Sequence, residues 1–417
     1  MIFKNKFNIL PSGAIKLQGE MGKALELATR NHIMKLDWKQ LVDPFRTRKE
    51  TVSWTCEFWG KQIRGAILAA YITRDPELTA LVKATVADII STQDAEGRIT
   101  SNAVPFEKQE PNWGWDGWGR KYVLMGLTRY YQYIEADPKV LDACCRLLDN
   151  LMEVVGPGKQ DVLDHGCHDG LAFSSILGAV VRVYRISGNQ KYLDYAKWIA
   201  SRGCSKNGNI FQAALNGAKP KDIGNAKAYE LTSCYQGYAE LCIECDDFPE
   251  AVEVLTKYYQ QVRDREIYVS GIGGGLDLVG EYWNDSVFKQ NCTDFEVTGA
   301  QGETCVTVTW LHYMERVLRL TGDAAVFDEC EKSFYNGLLG AMTPDGSNFT
   351  HYNPTPLADK CRKVPACDQM MNNFWFAFGG NDCCRAQGHE GLALAPLMAV
   401  MTDAESGAPV FNLYEDM

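Results

Sequence analysis

Five times along the chain an aliphatic residue leads into a short polar turn carrying Asp or Asn, after which a new helical run begins. The copies are Ile72-Thr-Arg-Asp75-Pro, Ile134-Glu-Ala-Asp137-Pro, Ile186-Ser-Gly-Asn189-Gln, Ile243-Glu-Cys-Asp246-Asp and Leu320-Thr-Gly-Asp323-Ala. They fall 52 to 77 residues apart, the length of two helices with their connections, so each period reads as one αα-hairpin. Gly188 and Gly322 suit a helix C-terminus, and Asp or Asn, followed directly by Pro in two copies, suits the start of the next helix. The runs before the turns, such as Gly65 to Tyr71 and Ser174 to Val181, are apolar nearly all round, as buried helices are. Those after them, such as Glu77 to Asp88, carry a narrower apolar stripe opposite a charged face. This alternation predicts an all-α fold, an (α/α)6 toroid or barrel of αα-hairpin repeats whose inner helices all run the same way.

A toroid of this kind gathers the starts of its inner helices at one rim. Counting back 16 to 21 residues from each turn reaches unusual residues every time: Glu57-Phe-Trp59, Trp113-Gly-Trp-Asp-Gly-Trp118, His165-Gly-Cys-His168, Tyr229-Glu230 and Glu303-Thr-Cys305. That shared offset makes the rim the candidate active site. There Trp59, Trp113, Trp115, Trp118 and Trp283 could stack on sugar faces, and Glu57, Asp116 and Glu230 could accept from hydroxyls. The plain alternative for each tryptophan is the core. His312 lies inside a helix and reads as a core histidine, whereas His168, His351 and His389 lie near loops or helix starts as weaker candidates for substrate contact.

Charge and length narrow the classes. With 42 Lys+Arg against 53 Asp+Glu in 417 residues, and no basic run interleaved with aromatics, nucleic acid is not an expected partner. No apolar stretch approaches the roughly 20 residues that span a bilayer, and the first ten residues lack a sustained apolar signal region. No membrane association is expected and the chain reads as cytoplasmic; an oligomer is left open. Fifteen cysteines, an odd number in a chain far longer than disulfide scaffolds, direct some of them to thiol chemistry or metal binding.

Two segments could do this. Glu303 and Cys305 are about 200° apart on a continuous helix, so they share a ligand only if Glu303 sits at or before the helix start. Gly302 before it, and the stripe Val306, Trp310, Met314 and Val317 after it, permit that placement. Downstream, Gly379-Gly-Asn-Asp382-Cys383-Cys384 offers flexibility, an Asp able to cap and two adjacent thiols opening another apolar run. These donors make a plausible zinc site. Cys144-Cys145 is equally adjacent yet sits in a helix-like run with no Gly or carboxylate nearby, and no CxxC pair occurs, so spacing alone favours buried structural thiols over a metal. A thiolate at a helix N-terminus and on a zinc ion is ionised at neutral pH and can attack an electrophilic carbon. It needs an acid for the leaving group. Glu281, after the glycine-rich loop 271–275 and beside Tyr282 and Trp283, is available, with a solvated loop acid as the alternative. The glycines do not keep GxGxxG spacing, and no strand-helix-strand unit surrounds them.

Together, Gly302-Glu-Thr-Cys305, Cys383-Cys384 and Gly280-Glu281 resemble the catalytic domain of β-L-arabinofuranosidase-type glycoside hydrolases, family 127 and its relatives. The resemblance spans most of the chain, with further matching stretches at Glu57-Phe-Trp-Gly60, Trp118-Gly-Arg-Lys-Tyr122, Lys227-Ala-Tyr-Glu230, Thr304 to Trp310, Tyr352-Asn-Pro354 and Asn412-Leu-Tyr414. It implies an (α/α)6 barrel and a Zn2+ ion held by Glu303, Cys305, Cys383 and Cys384. It further implies retaining hydrolysis in which Cys383 attacks the anomeric carbon and Glu281 serves first as acid and then as base. The implied substrate is a glycoside or oligosaccharide ending in a β-L-arabinofuranoside-like sugar, contacted by Glu57, Trp59, Trp115, Asp116, Trp118, His168, Glu230 and Tyr352. The segment around Lys227 lacks the histidine, and that around Gly178 the acidic residue, usual in characterised members, which points toward another sugar. Glu296 is a rival for the acid because 22 residues separate Glu281 from Glu303. Residues 1–405 are expected to be the catalytic domain and 406–417 the start of a β-sandwich domain that is truncated or absent. The competing classes are a metal-free sugar epimerase or polysaccharide lyase on the same toroid, and a non-catalytic carbohydrate-binding protein.

Overall fold

Four of the five turn residues cap a helix in the computed structural model, which describes residues 2–51, 54–104, 114–274, 281–289, 301–354 and 382–417. Asp75, Asp137, Asn189 and Asp323 each accept a hydrogen bond from the backbone N–H two residues on, filling one of the donors a helix start leaves open. The helices before three of these turns close on left-handed residues, Arg74 (φ 55°), Gly188 (φ 66°) and Gly322 (φ 68°). The fourth copy departs from expectation: after Asp246 the next helix starts only at Ala251, with Glu250 at its N-cap. Pro249 explains the delay, because the residue before a proline is kept out of the helical region.

Twelve helices among the described residues form the ring. In chain order they are α1 (Glu20–Asn31), α2 (Phe58–Thr73), α3 (Pro76–Ile90), α4 (Asp116–Tyr133), α5 (Pro138–Val154), α6 (Leu177–Ser187), α7 (Gln190–Ser201), α8 (Ala228–Leu241), α9 (Ala251–Arg265), α10 (Thr304–Thr321), α11 (Ala324–Lys332) and α12 (Cys383–Ala399). The even-numbered helices pack in sequence, α2 on α4, α4 on α6 and onward, and α12 returns to pack on α2, so the inner circle is closed. The odd-numbered helices lie outside, each against the inner helix it precedes or follows, except α1, which packs chiefly on α12. Burial follows the sequence pattern: every residue of α2 from Phe58 to Ala70 is buried, whereas α3 buries only the stripe Leu78, Val82, Thr85, Val86 and Ile89. The third inner element is broken, a single turn at Leu171–Ser174 preceding α6.

Closure brings the chain ends together. Strand β1 (Phe7–Ile9) pairs antiparallel with β4 (Val400–Asp403), which follows α12 directly and pairs in turn with β5 (Pro409–Phe411). Residues after β5 return to the ring, where Asp416 accepts from the Gln18 N–H at 2.7 Å and Glu415 from the Tyr335 hydroxyl at 2.9 Å. At the opposite rim β2 (Gln301–Glu303) pairs with β3 (Tyr352–Pro354), so that Glu303 faces Tyr352 in the register. No helix among the described residues is long and apolar enough to cross a membrane.

Helices α6 and α8 meet backbone to backbone at Gly178 and Gly237. A Cβ on Gly237 would stand 2.6 Å from the Gly178 nitrogen, which no side-chain rotation relieves. Gly237→Ala is therefore expected to lower the unfolding free energy by about 1–3 kcal/mol, read as an earlier urea midpoint. An unchanged midpoint would contradict this contact.

Candidate active site

The starts of the inner helices surround a cavity of about 330 Å3. Glu57 and Lys61 reach it from the first turns of α2, Trp115 and Trp118 from the start of α4, and His168 from the loop before α6. Lys227, Tyr229 and Glu230 enter from the start of α8 and Cys383 from the first residue of α12. Trp54, Glu281, Tyr282 and His351 complete the wall. A groove of about 510 Å3 near α1 and the C-terminal end of α2 is larger, but it collects Glu26, Arg30, Arg74 and Asp75 without a buried cluster of reactive groups.

The floor is built where α10 and α12 begin side by side. Glu303 is the residue before α10, in extended conformation, and the β2–β3 pairing and a hydrogen bond from the Thr304 N–H to the His351 carbonyl (3.0 Å) fix it there. Placement off the helix is what lets Glu303 and Cys305 share one point. Asp382 caps α12, accepting from the backbone N–H groups of Cys384 (2.9 Å) and Arg385 (3.2 Å), and so orients the two thiols of its first turn. The Cys383 and Cys384 sulfurs are 3.9 Å apart, and Glu303 Oε1 lies 3.8 Å from the first and 3.4 Å from the second. The Cys305 thiol shares hydrogen bonds with both, and its backbone N–H donates to Cys384 Sγ at 3.2 Å. His351 closes the group, with Nδ1 2.8 Å from Asp382 Oδ2 and 3.8 Å from Cys383 Sγ.

The charges of this cluster are interdependent. Burial raises the Cys305 thiol, but hydrogen bonds with Cys383 and Cys384 and the Lys61 ammonium outweigh it and bring the pKa to about 6. That first anion then holds Cys383 up, and burial with the same neighbours holds Cys384 well above its ordinary value. Burial, reinforced by Cys383, pushes the Glu303 carboxyl up to about 8. Burial lowers His351, yet Asp382 and Cys383 beside it raise it well above the usual range. Three sulfurs and a carboxylate this close can ionise together only around a cation. The donor atoms of Cys383, Cys384 and Glu303, 3.4 to 3.9 Å apart, are spaced as ligands of one small cation are. The ligand atoms of Glu303, His351, Cys383 and Cys384 all lie within 4.8 Å of one another.

Three carboxylates face the cavity with different partners. Glu57 receives Lys61 Nζ at 2.9 Å and the Trp118 indole N–H at 2.5 Å, and burial, opposed chiefly by Lys61, raises it to about 7. Glu230 is buried with Oε1 3.6 Å from His168 Nε2, while Oε2 has no hydrogen-bond partner among the described residues. Glu281 is ion-paired with Lys227. Their backbones are also tied, since the Ala228 N–H donates to the Glu281 carbonyl and the Trp283 N–H to the Ala226 carbonyl, both at 2.9 Å.

Of the residues expected at the rim, Glu57, Trp115, Trp118, His168, Glu230, Glu281 and Cys383 line the cavity, with Glu303, Cys305 and Cys384 beneath. Trp59 and Asp116 do not. Trp59 turns outward and donates to Thr85 Oγ1 of α3 at 3.0 Å, and Asp116 is buried against Arg120 at 2.8 Å. Trp283 is a core residue donating to the Tyr258 hydroxyl at 3.1 Å, and His389 is buried beside Thr29 at 2.9 Å. For Tyr352 only the backbone is described; Trp113, Gly280 and Glu296 lie outside the described residues. Lys61 and Lys227 were missed, and the available signal was a lysine in an otherwise apolar inner helix start, one turn after Glu57 or three residues before Glu230. Cys144 and Cys145 sit inside α5, as their helix-like run suggests.

Comparison with known proteins gives a consistent result. The sequence profile described as β-L-arabinofuranosidase, GH127 catalytic domain, matches residues 14–396. A non-reducing end β-L-arabinofuranosidase of Bifidobacterium longum subsp. longum is 22% identical over 359 residues, which are 78% of this chain and 52% of that protein. A solved GH127 β-arabinofuranosidase superposes with a TM-score of 0.73 at 19% identity, covering 99% of this chain and 64% of the other. A second, the GH127 β-L-arabinofuranosidase Ara127N of Geobacillus stearothermophilus T6, gives 0.68 at 18% identity, covering 96% and 67%. The chain thus spans about half the length of its curated relative and less than two thirds of the first structure.

Exposure separates the three thiols, Cys383 being 9% exposed on the cavity side against 1% for Cys305 and 0% for Cys384. In chelator-treated protein, iodoacetamide is expected to alkylate Cys383 before the other two, as read by peptide mass mapping. Earlier modification of Cys384 would show that the cavity does not open onto Cys383.

Proposed function

The chain belongs to the β-L-arabinofuranosidase family defined by the GH127 catalytic domain, and from that premise we propose that it is a zinc-dependent retaining glycoside hydrolase acting on a terminal β-L-arabinofuranoside-like sugar. The observation that carries this reading is the position of Cys383, whose sulfur belongs to the Glu303–Cys384 cluster and also borders the cavity that holds Glu281. A metal-free epimerase or lyase would leave that cluster of buried acids without a use.

In this proposal Glu303, Cys305, Cys383 and Cys384 hold the ion, with His351 fixed beside Cys383 by Asp382. Bound zinc would keep the sulfurs ionised and their geometry fixed. Cys383 Sγ attacks the anomeric carbon as the bond to the glycosidic oxygen breaks, and Glu281, which enters this step as the protonated acid released from its ion pair with Lys227, delivers that proton to the departing oxygen. Glu281, then a carboxylate beside Lys227, takes a proton from water; the water oxygen attacks the same carbon and the sulfur leaves as thiolate. Two inversions at one carbon give net retention. The unpartnered Glu230 Oε2 and the anchored Glu57 carboxylate supply acceptors for sugar hydroxyls, Trp115 and Trp118 flat walls, and His168 a further polar contact. Tyr352, opposite Glu303 in the β2–β3 register, is a further candidate contact. We take residues 1–405 as the catalytic unit and the cytoplasm as its place, which suits described cysteines that form no disulfide.

Protein prepared without added metal is expected to carry about one zinc per chain by elemental analysis, and less than about half an equivalent would count against the centre. Cys383→Ala should cut hydrolysis of an aryl β-L-arabinofuranoside on the order of 10^4-fold or more, with wild-type-like folding by circular dichroism. Glu281→Gln should slow substrates with poor leaving groups far more than those with good ones; if Glu296→Gln does so instead, the acid assignment moves to Glu296.

A further inference from the structure

Lys61 occupies the second turn of α2, and its side chain is 2% exposed. An ammonium so far from water persists only with partners that repay its desolvation. It has four, from four inner helices, one of them the Tyr122 ring of α4 with its centroid 5.4 Å from the nitrogen. Glu57 Oε1 at the start of α2 accepts at 2.9 Å, Cys305 Sγ in the first turn of α10 at 3.6 Å, and the Tyr229 ring of α8 lies 4.6 Å beneath the nitrogen. Helix α10 is not a ring neighbour of α2, because α12 stands between them. Lys61 therefore reaches across the mouth of the barrel to the sulfur that α10 contributes to the cluster.

Resting on the zinc reading above, we propose that Lys61 is a positioning residue with two tasks: its ammonium donates to Cys305 Sγ and so supports metal retention, and it aims the Glu57 carboxylate into the cavity. Four ionised donors around a divalent cation leave surplus negative charge on the sulfurs, and an N–H donor with a full positive charge offsets it where it is concentrated. The other Glu57 oxygen is held by the Trp118 indole, so Lys61 also ties the metal cluster to the wall of the sugar cavity. Removing the lysine leaves Glu57 buried with one partner and Cys305 without its ammonium donor.

The test is zinc affinity by competition with a chromophoric chelator, in wild type, K61M, K61R, E57Q and C305S, with folding followed by circular dichroism and thermal melting. K61M is expected to weaken zinc binding about 10–100-fold, the usual cost of losing a group that supports a ligand. K61R, which keeps charge and donors, should recover most of that loss, and E57Q should hold zinc as wild type does while raising KM for an aryl β-L-arabinofuranoside. Should K61M not fold, K61Q, which can still donate to Glu57, gives the same reading. Zinc affinity of the neutral variant within about threefold of wild type overturns the proposal, as does an equal loss in E57Q, which would place the effect in Glu57. Wild type that binds no zinc, or C305S that binds as tightly as wild type, overturns instead the metal reading on which it rests.

Discussion

Everything distinctive about this molecule follows from two parallel inner helices beginning side by side with anionic groups in their first turns. The start of a helix exposes backbone N–H groups and a partial positive charge, the one place in an apolar barrel where a thiolate is stabilised without further machinery. Here α10 and α12 combine their starts, so that the Cys305 N–H donates to a sulfur of the other helix at 3.2 Å. The fold makes this unavoidable, since inner helices that all run one way must put all their N-termini at one rim. A ring of antiparallel inner helices would separate the two segments by the length of the barrel.

Concentrating anions at one rim obliges the barrel to bury cations as well. Lys61 and Lys227 meet that demand at the mouth, each with a carboxylate partner. Deeper in the lumen Glu390 of α12 is bonded by Arg64 of α2 and Arg129 of α4, with His312 of α10 at 2.9 Å. These groups hold the Glu390 carboxyl well below the ordinary range despite complete burial. Inner helices that look like plain core segments in hydropathy thus carry buried charges, and those at Lys61 and Glu390 link helices that are not sequence neighbours.

The ring was legible in the sequence because capping is local chemistry: an Asp before Pro76 or Pro138 writes the helix boundary into two adjacent residues. The misplaced boundary at Asp246 came from giving Asp more weight than Pro249, and the break before α6 left no mark in an apolar run. The cluster was legible because Gly302 and Asp382 announce where two helices start. Direction around a helix was not. Glu57 and Lys61 are one turn apart and face the same cavity, whereas Trp59, about 200° round from Glu57, faces α3. A shared rim offset identifies the right turn of helix and says nothing of which side chain in that turn points inward, so Asp116 was grouped with Trp115 although it bonds Arg120.

The Lys227–Glu281 pair bears most directly on what the cavity would accept in the proposed reaction. The family resemblance leads one to expect a histidine in that segment, and a histidine beside a carboxylate can lose its charge near neutrality. Lysine does not: burial lowers Lys227, but Glu230, Glu303 and neighbouring groups more than compensate and raise it. The backbone hydrogen bonds at Ala228 and Trp283 hold the two segments that carry the pair side by side. The side of the cavity nearest Glu281 therefore holds the Lys227–Glu281 charge pair with Glu230 close by. A bare hydrocarbon face would desolvate both charges with no return. In the proposed reaction a sugar bound there would meet an ammonium donor directly beside the carboxylate assigned to the proton.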